Sequence, residues 1–339
     1  MKTFTHPDGI FEMKIPLDWV YKNEIAGYKN KSPFSFELLE NNCGAFQISV
    51  YHKSEKKINP TLPRHDYNTD KLKFVRNQLP DPEFQMLLWA TVAGDYFFMA
   101  KYISQPNEEN KEQIRKELTK VTESLSTLMC LSEDRRPYAI GFDRYEKFCA
   151  SLAASFDIKT KAYKSLCFVQ FIIICANQID AYLRLCIVLK YQIIENTLLF
   201  KVEYLHQKEN DKPMMEKKVY DKAKNMGIIN SEQNDLLYKL YNLRNKVVHR
   251  YIITDIKTIE LLNLGLEYET LSEEIRRILS EIEKEQFDKK VGYFQSRHPD
   301  KMEESSIVNQ LYAMVNEKHF YSEYKREIYN NYPNKSHKA

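Results

Sequence analysis

The chain has 339 residues, 43% hydrophobic and 29% charged, with a net charge of +3; its length suggests two domains, and its balance is that of a soluble globular protein. Eight glycines against 23 tyrosines and 18 phenylalanines argue for long helices and packed aromatics rather than glycine-rich phosphate loops. The first 134 residues hold 17 basic and 19 acidic side chains and the remainder 33 and 28, so a polyanionic partner suits the C-terminal part better, though only mildly.

Residues 1–130 read as α+β. Met1 to His6 is polar and Pro7-Asp8-Gly9 a turn, which predicts no signal peptide. Phe11, Met13 and Ile15 alternate before Pro16, and Trp19 returns to a core. Phe34, Phe36 and Leu38 alternate next, then Phe46, Ile48 and Val50, with Asn41-Asn42-Cys43-Gly44 as the turn between. Pro60 and Pro63 mark a loop, and Asp66 to Leu79 is predicted helical, closed by Pro80 and Pro82. Glu83 to Val92 and Tyr96 to Ser104 form a hairpin around Ala93-Gly94-Asp95, and a charged amphipathic helix follows over about Asn107 to Met129. Strands, helix, hairpin and helix make an antiparallel sheet with helices against it. Here Gly9, Phe11, Pro16 and Trp19 resemble the opening motif of PsbP-like α/β/α domains, which implies a binding or regulatory module over residues 1–132. His6, His52 and His65 have no metal spacing.

Leu131 to Pro137 is polar and Pro-terminated, and is the expected domain boundary. Asp143 to Ser155 is predicted helical. Lys161 to about Gln207 reads as one long helix, apolar all round from Leu166 to Leu189 and hence buried on nearly every side. Its longest uninterrupted apolar run, Phe171 to Ala176, is far short of a membrane span. Gln170, Asn177 and Arg184 form a polar stripe on it, with Asp180 four residues before Arg184; a buried Asp–Arg pair with hydrogen-bonded amides, or a surface ion pair, is the plain explanation. The six cysteines (Cys43, Cys130, Cys149, Cys167, Cys175 and Cys186) are scattered without Cys-x-x-Cys, favouring reduced thiols over disulfides or zinc. Soluble, cytoplasmic and membrane-free is the resulting expectation.

Lys208 to Pro213 is a solvated loop, and Met215 to Met226 a basic helix (Lys217, Lys218, Lys222, Lys224) stopped by Gly227. Asn230 and Ser231 supply N-cap chemistry, and Gln233 stands at the capping-box position. Leu236, Leu240, Leu243, Val247 and Tyr251 then recur as one apolar stripe. Ile252 to Asp255 breaks that helix, and Ile256 to Ile282 forms another, with Glu269, Glu273, Arg276 and Arg277 exposed. Residues 138–285 thus give an all-α up-and-down bundle. Residues 286–339 are a partly helical extension, helical over part of Ser305 to Tyr329. The fold class expected is multi-domain α+β.

On the stripe helix lie Arg244-Asn245 and, five residues after the arginine, His249. Arg244-Asn245-Lys246-Val247-Val248-His249 resembles the R-polar-x3-H signature of HEPN domains, all-α nucleotide-binding modules of prokaryotes and eukaryotes. The resemblance implies a metal-independent RNA endonuclease with Arg244, His249 and Asn245 at its site, no cofactor, and a homodimer. It also implies an acidic residue on the preceding helix, for which Asp180 is the positional match. A toxin or antiviral defence effector gated by a protein or ligand trigger at the N-terminal domain follows as an expectation. A non-catalytic HEPN dimer, used for RNA binding or scaffolding, is the alternative.

The residue types suit that chemistry. Attack of a ribose 2′-OH on the adjacent phosphate needs a base titrating near neutrality, which histidine provides. It also needs positive charge on the phosphorane, which a forked guanidinium supplies. Five steps at 100° per residue set Arg244 and His249 about 140° apart on an ideal helix. Either the helix loosens before His249, or a second copy completes the site. Structurally, Arg244 could instead pair with Glu232 or Asp180, and His249 could serve as a C-terminal cation.

Overall fold

A computed structural model describes residues 1–25, 32–38, 42–56, 58–79, 84–207 and 211–299. Asn41, Pro80, Pro82, part of the loop at Lys208 to Pro213, and the expected helix at Ser305 to Tyr329 lie outside the described residues. The chain divides into two compact units, Met1–Asp143 and Arg144–Ala339. The first is a sheet domain and the second helical, a multi-domain α+β architecture.

In the first unit β1 (Lys2–Thr5) pairs antiparallel with β2 (Phe11–Ile15). Then come β3 (Trp19–Tyr21), the short helix α1 (Lys22–Ile25), β4 (Phe34–Leu38), β5 (Gly44–His52), β6 (Arg64–His65), β7 (Val75–Leu79), β8 (Gln85–Ala93) and β9 (Tyr96–Ser104). Helix α2 (Lys111–Ser126) and β10 (Met129–Cys130) follow. The larger sheet runs β3-β4-β5-β9-β8-β6, with β7 also on β8; the smaller runs β1-β2-β10. Only the β6–β8 pairing is parallel among these.

The alternating positions read from the sequence are the core: Phe11, Met13, Ile15, Trp19, Phe34, Phe36, Phe46 and Ile48 are all buried. Trp19 donates its indole N–H to buried Glu117 of α2 at 2.6 Å, so the aromatic that docks the helix also has its polar atom satisfied.

The predicted helix at Asp66 to Leu79 does not form. Asn68 and Lys71 adopt left-handed backbone at φ 58° and 55°, and Asn68 is tied by its N–H to the Cys130 carbonyl at 2.7 Å. The end of the segment is instead strand β7, antiparallel to β8. The same ties order the expected junction. Leu131 donates its N–H to the Ile10 carbonyl at 2.8 Å, Ser132 donates to the Asn68 side chain at 3.2 Å, and helix α3 (Arg136–Lys164) starts at once. The division at Asp143 therefore falls inside a helix, beyond the polar stretch.

The second unit is built on α4 (Phe168–Ile194), which packs most extensively against α8 (Thr258–Lys289). Gly265 lets the two approach: a Cβ there would lie 2.8 Å from the Phe171 ring. Helices α5 (Val202–Leu205), α6 (Glu216–Asn225) and α7 (Ser231–Arg250) also contact α4. Although α4 is long and apolar enough to cross a membrane, 67% of its most apolar window is buried in the protein, as a core helix requires. All six cysteines are free, and burial pushes the Cys149 and Cys175 thiols up to about 12.

The single helix expected over Lys161 to Gln207 is three. Leu166 (φ 55°) and Asn196 (φ 48°) stop α3 and α4 in the left-handed conformation. Cys167 N–H then bonds the Ala162 carbonyl at 2.8 Å, and Thr197 N–H the Gln192 carbonyl at 3.1 Å, the six-to-one bond of a Schellman cap. Glycine, the usual signal for such a stop, stands at neither position. Leu166 is largely exposed, so Leu166→Gly is expected to stabilise the protein by about 0.5–1 kcal/mol, from relief of about 1–2 kcal/mol of strain less the entropy of an added glycine. A denaturation midpoint that falls, with an unchanged m-value, would contradict this.

Candidate functional site

Helix α7 begins as read. The Asn230 side chain accepts the Gln233 N–H at 2.8 Å and the Gln233 side chain accepts the Asn230 N–H at 3.1 Å, a complete capping box. Gly227, at φ +68°, closes α6 just before it.

The buried line of α7 is rotated from the predicted stripe. Asn234, Leu237, Leu240 and Val247 are buried, whereas Leu243 and Tyr251 are exposed. Arg244 falls on that buried line, between Leu240 and Val247, with only 12% of its side chain accessible. A guanidinium so placed must be paired. Its Nη1 donates to Glu216 Oε1 at 2.7 Å and its Nη2 to Asn245 Oδ1 at 2.9 Å, while its plane lies 4.9 Å from the Tyr241 ring. Burial works against the charge, but Glu216 outweighs it and holds the arginine above its ordinary pKa. Neither Glu232 nor Asp180 is the partner. Glu216 opens α6 at a sequence distance of 28, and no local pattern links it to Arg244.

Asp180 pairs with Arg184 at 2.6 Å, the plain explanation of the polar stripe on α4, while Gln170 and Asn177 are exposed. Burial pushes the Asp180 carboxyl up against the pull of Arg184, and Glu216 and Arg244 both lie near enough to act on it. Asp180 thus stands behind the Arg244–Glu216 pair without a hydrogen bond to Arg244.

His249 is exposed and makes no hydrogen bond or ion pair among the described residues. The helix does not loosen before it, since α7 continues to Arg250 and only then tightens into a 3₁₀ turn over Tyr251–Ile253. The separation of about 140° from Arg244 therefore persists. Beyond His249 lies an exposed apolar group: Val248, Tyr251, Ile252 (94% accessible), Ile253 (79%) and Ile259. On the neighbouring face Lys217 sits over the rings of Tyr238 (5.1 Å) and Tyr241 (4.7 Å), and Lys218, Lys222 and Lys224 are exposed. Lys217 and Arg244 thus share the Tyr241 ring.

No family model matches this chain, and no curated protein matches it. A crystal structure of a protein from Bacteroides thetaiotaomicron VPI-5482 is similar over 52% of this chain and 76% of its own length, at 12% identity and a TM-score of 0.27. That likeness is too slight to carry an argument.

Proposed function

We propose that this protein is a metal-independent RNA endonuclease of HEPN type, acting in the cytoplasm as a homodimer and serving as a toxin or defence effector. One observation carries the reading: α7 holds Arg244-Asn245 locked on one side and, on the other, an exposed His249 without a partner among the described residues, with apolar side chains uncovered beside the histidine. A phosphate bound between two copies of the helix would meet an arginine and a histidine together, which one straight helix cannot arrange. His249 removes the 2′-OH proton, the oxygen attacks the adjacent phosphorus, and the 5′-oxygen leaves and is protonated. Arg244 meets the charge that builds on the phosphorane oxygens, and the Asn245 amide NH₂ remains free to donate. The products are a 2′,3′-cyclic phosphate and a 5′-hydroxyl, and DNA, lacking the nucleophile, is spared. The sheet domain is assigned the gate, where a protein or ligand trigger would bind.

Incubation of the full-length protein with total RNA in EDTA tests the reading. Cleavage is expected to persist, with His249→Ala as the inactive control. Cleavage that appears only on adding Mg²⁺ or Mn²⁺ would reject the mechanism. RNA bound without being cut, equally by wild type and His249→Ala, would leave the scaffold reading in its place.

A further inference from the structure

We propose that Glu216 is a positioning residue for Arg244, and that the Asp180–Arg184 pair acts one step further out by fixing the backbone that carries Glu216. The proposal rests on the ribonuclease reading and adds to it a residue outside the motif.

Glu216 is held at both oxygens. Oε1 accepts from Arg244 at 2.7 Å, and Oε2 accepts the Tyr220 hydroxyl at 3.1 Å, so the carboxylate cannot swing away without leaving a phenol unpaired. Tyr220 is buried and belongs to the same helix as Glu216, which fixes the carboxylate relative to α6 itself. The backbone entering α6 is fixed in turn: Arg184 donates Nη2 to the Met214 carbonyl at 3.1 Å and Nε to Asp180 at 2.6 Å. A continuous series therefore runs from the core helix α4, through Arg184 and Met214, to Glu216 and Arg244. As the first residue of α6, Glu216 also lies at a helix N-terminus, where negative charge is favoured.

The alternative role for Glu216 is a latch that occupies Arg244 and competes with phosphate. The donor count favours positioning. A guanidinium has five N–H groups; one goes to Glu216 and one to Asn245. Among the described residues the Nε–H and one hydrogen on each terminal nitrogen have no hydrogen-bond partner, so the fork can engage a phosphate with Glu216 still in place. The Tyr241 ring, its centre 4.9 Å from Cζ, adds a cation–π contact that further restrains the guanidinium. Asp180 then has a role different from a catalytic one: it sits behind Arg184, at the far end of that series from the phosphate.

The experiment uses full-length Glu216→Ala, Glu216→Gln and Arg184→Lys with two readouts. One is kcat and KM on single-stranded RNA; the other is the set of Arg244 side-chain NMR resonances, assigned by their loss in Arg244→Ala. The wild type should give resolved, slowly rotating Nη signals. Glu216→Ala should lose them and drop kcat by up to about 100-fold, the scale of a misplaced catalytic group, with KM little changed. Glu216→Gln, which keeps an acceptor at the same reach, should recover most of both, and Arg184→Lys should fall between. Wild-type kcat and intact signals in Glu216→Ala would overturn the proposal, as would a rise in kcat, which would make Glu216 a latch. If Glu216→Ala fails to fold, Glu216→Asp keeps the charge, shortens the reach and must show the same losses; wild-type behaviour there overturns the proposal equally. A wild type that cuts no RNA would defeat the ribonuclease reading alone, and the Nη signals would then decide positioning by themselves.

Discussion

Arg244→Ala and His249→Ala chains, each expected to lose RNA cleavage by about 100-fold or more on its own, should regain it when unfolded and refolded together. The expectation follows from the geometry of α7. Arg244 is partly buried at the edge of the covered line and His249 faces outward, and the helix between them stays regular to Arg250. No site for one phosphate can use both from the same chain without unwinding that helix. A two-fold axis beside the helix end would set one chain's arginine against its partner's histidine. Ile252, Ile253 and Val248, apolar and uncovered beside His249, are the side chains such a contact would bury. In a mixed dimer of the two variants, one of the two composite sites carries both lesions and the other neither. Random pairing therefore predicts about a quarter of the wild-type rate from the refolded mixture. Heterodimers that form, by mass, and remain inactive would place both groups of a working site in one chain. A protein that is monomeric at the assay concentration and fully active would dispose of the shared site.

The capping box at Asn230 and Gln233 and the alternating aromatics of β2, β4 and β5 were legible because each is encoded within a few residues. The hairpin around Gly94 was legible for the same reason, its turn glycine lying at φ +55°. The stop at Leu166 was not, since a left-handed leucine carries no local signature; that at Asn196 had only the weak signal of an asparagine, which tolerates the left-handed conformation. β7 was missed because its pairing with β8 and the anchoring of Asn68 to Cys130 are non-local contacts that override helical propensity. The rotation of the buried line on α7 had the same origin. Leu243 and Leu237 are equally apolar, and only the position of α4 and α6 decides which is covered. That rotation is what buries Arg244, and burial is what demands a carboxylate. Glu216 could be anticipated as a kind of residue, an acid from another element, but not as a position.

Gln286→Leu, a near-isosteric change outside the candidate site, is expected to destabilise the helical unit by about 1–3 kcal/mol. Gln286 and Gln192 are both fully buried, one on α8 and one near the end of α4. Gln286 donates Nε2 to the Leu189 carbonyl at 2.8 Å and to Gln192 Oε1 at 2.9 Å, and accepts the Phe294 N–H at 3.1 Å. Gln192 in turn donates to the Leu198 carbonyl at 3.0 Å and accepts the Tyr293 N–H at 3.1 Å. Two amides thus satisfy the backbone on both sides of the α4–α8 contact, including the segment after α8, where Lys290 and Gly292 take left-handed backbone. Leucine adds apolar burial, but it strands the Phe294 N–H away from water and takes from Gln192 Oε1 one of its two donors, leaving it only the Tyr293 N–H; such an orphan costs about 1–3 kcal/mol. Because the two glutamines share one network, Gln192→Leu with Gln286→Leu should cost less than the sum of the single changes, by more than about 0.5 kcal/mol. Equilibrium urea unfolding of the four proteins measures this directly. A loss below about 1 kcal/mol for Gln286→Leu, or strict additivity in the cycle, would mean that solvent or rearrangement satisfies the stranded groups and that the network does not hold α8 to α4.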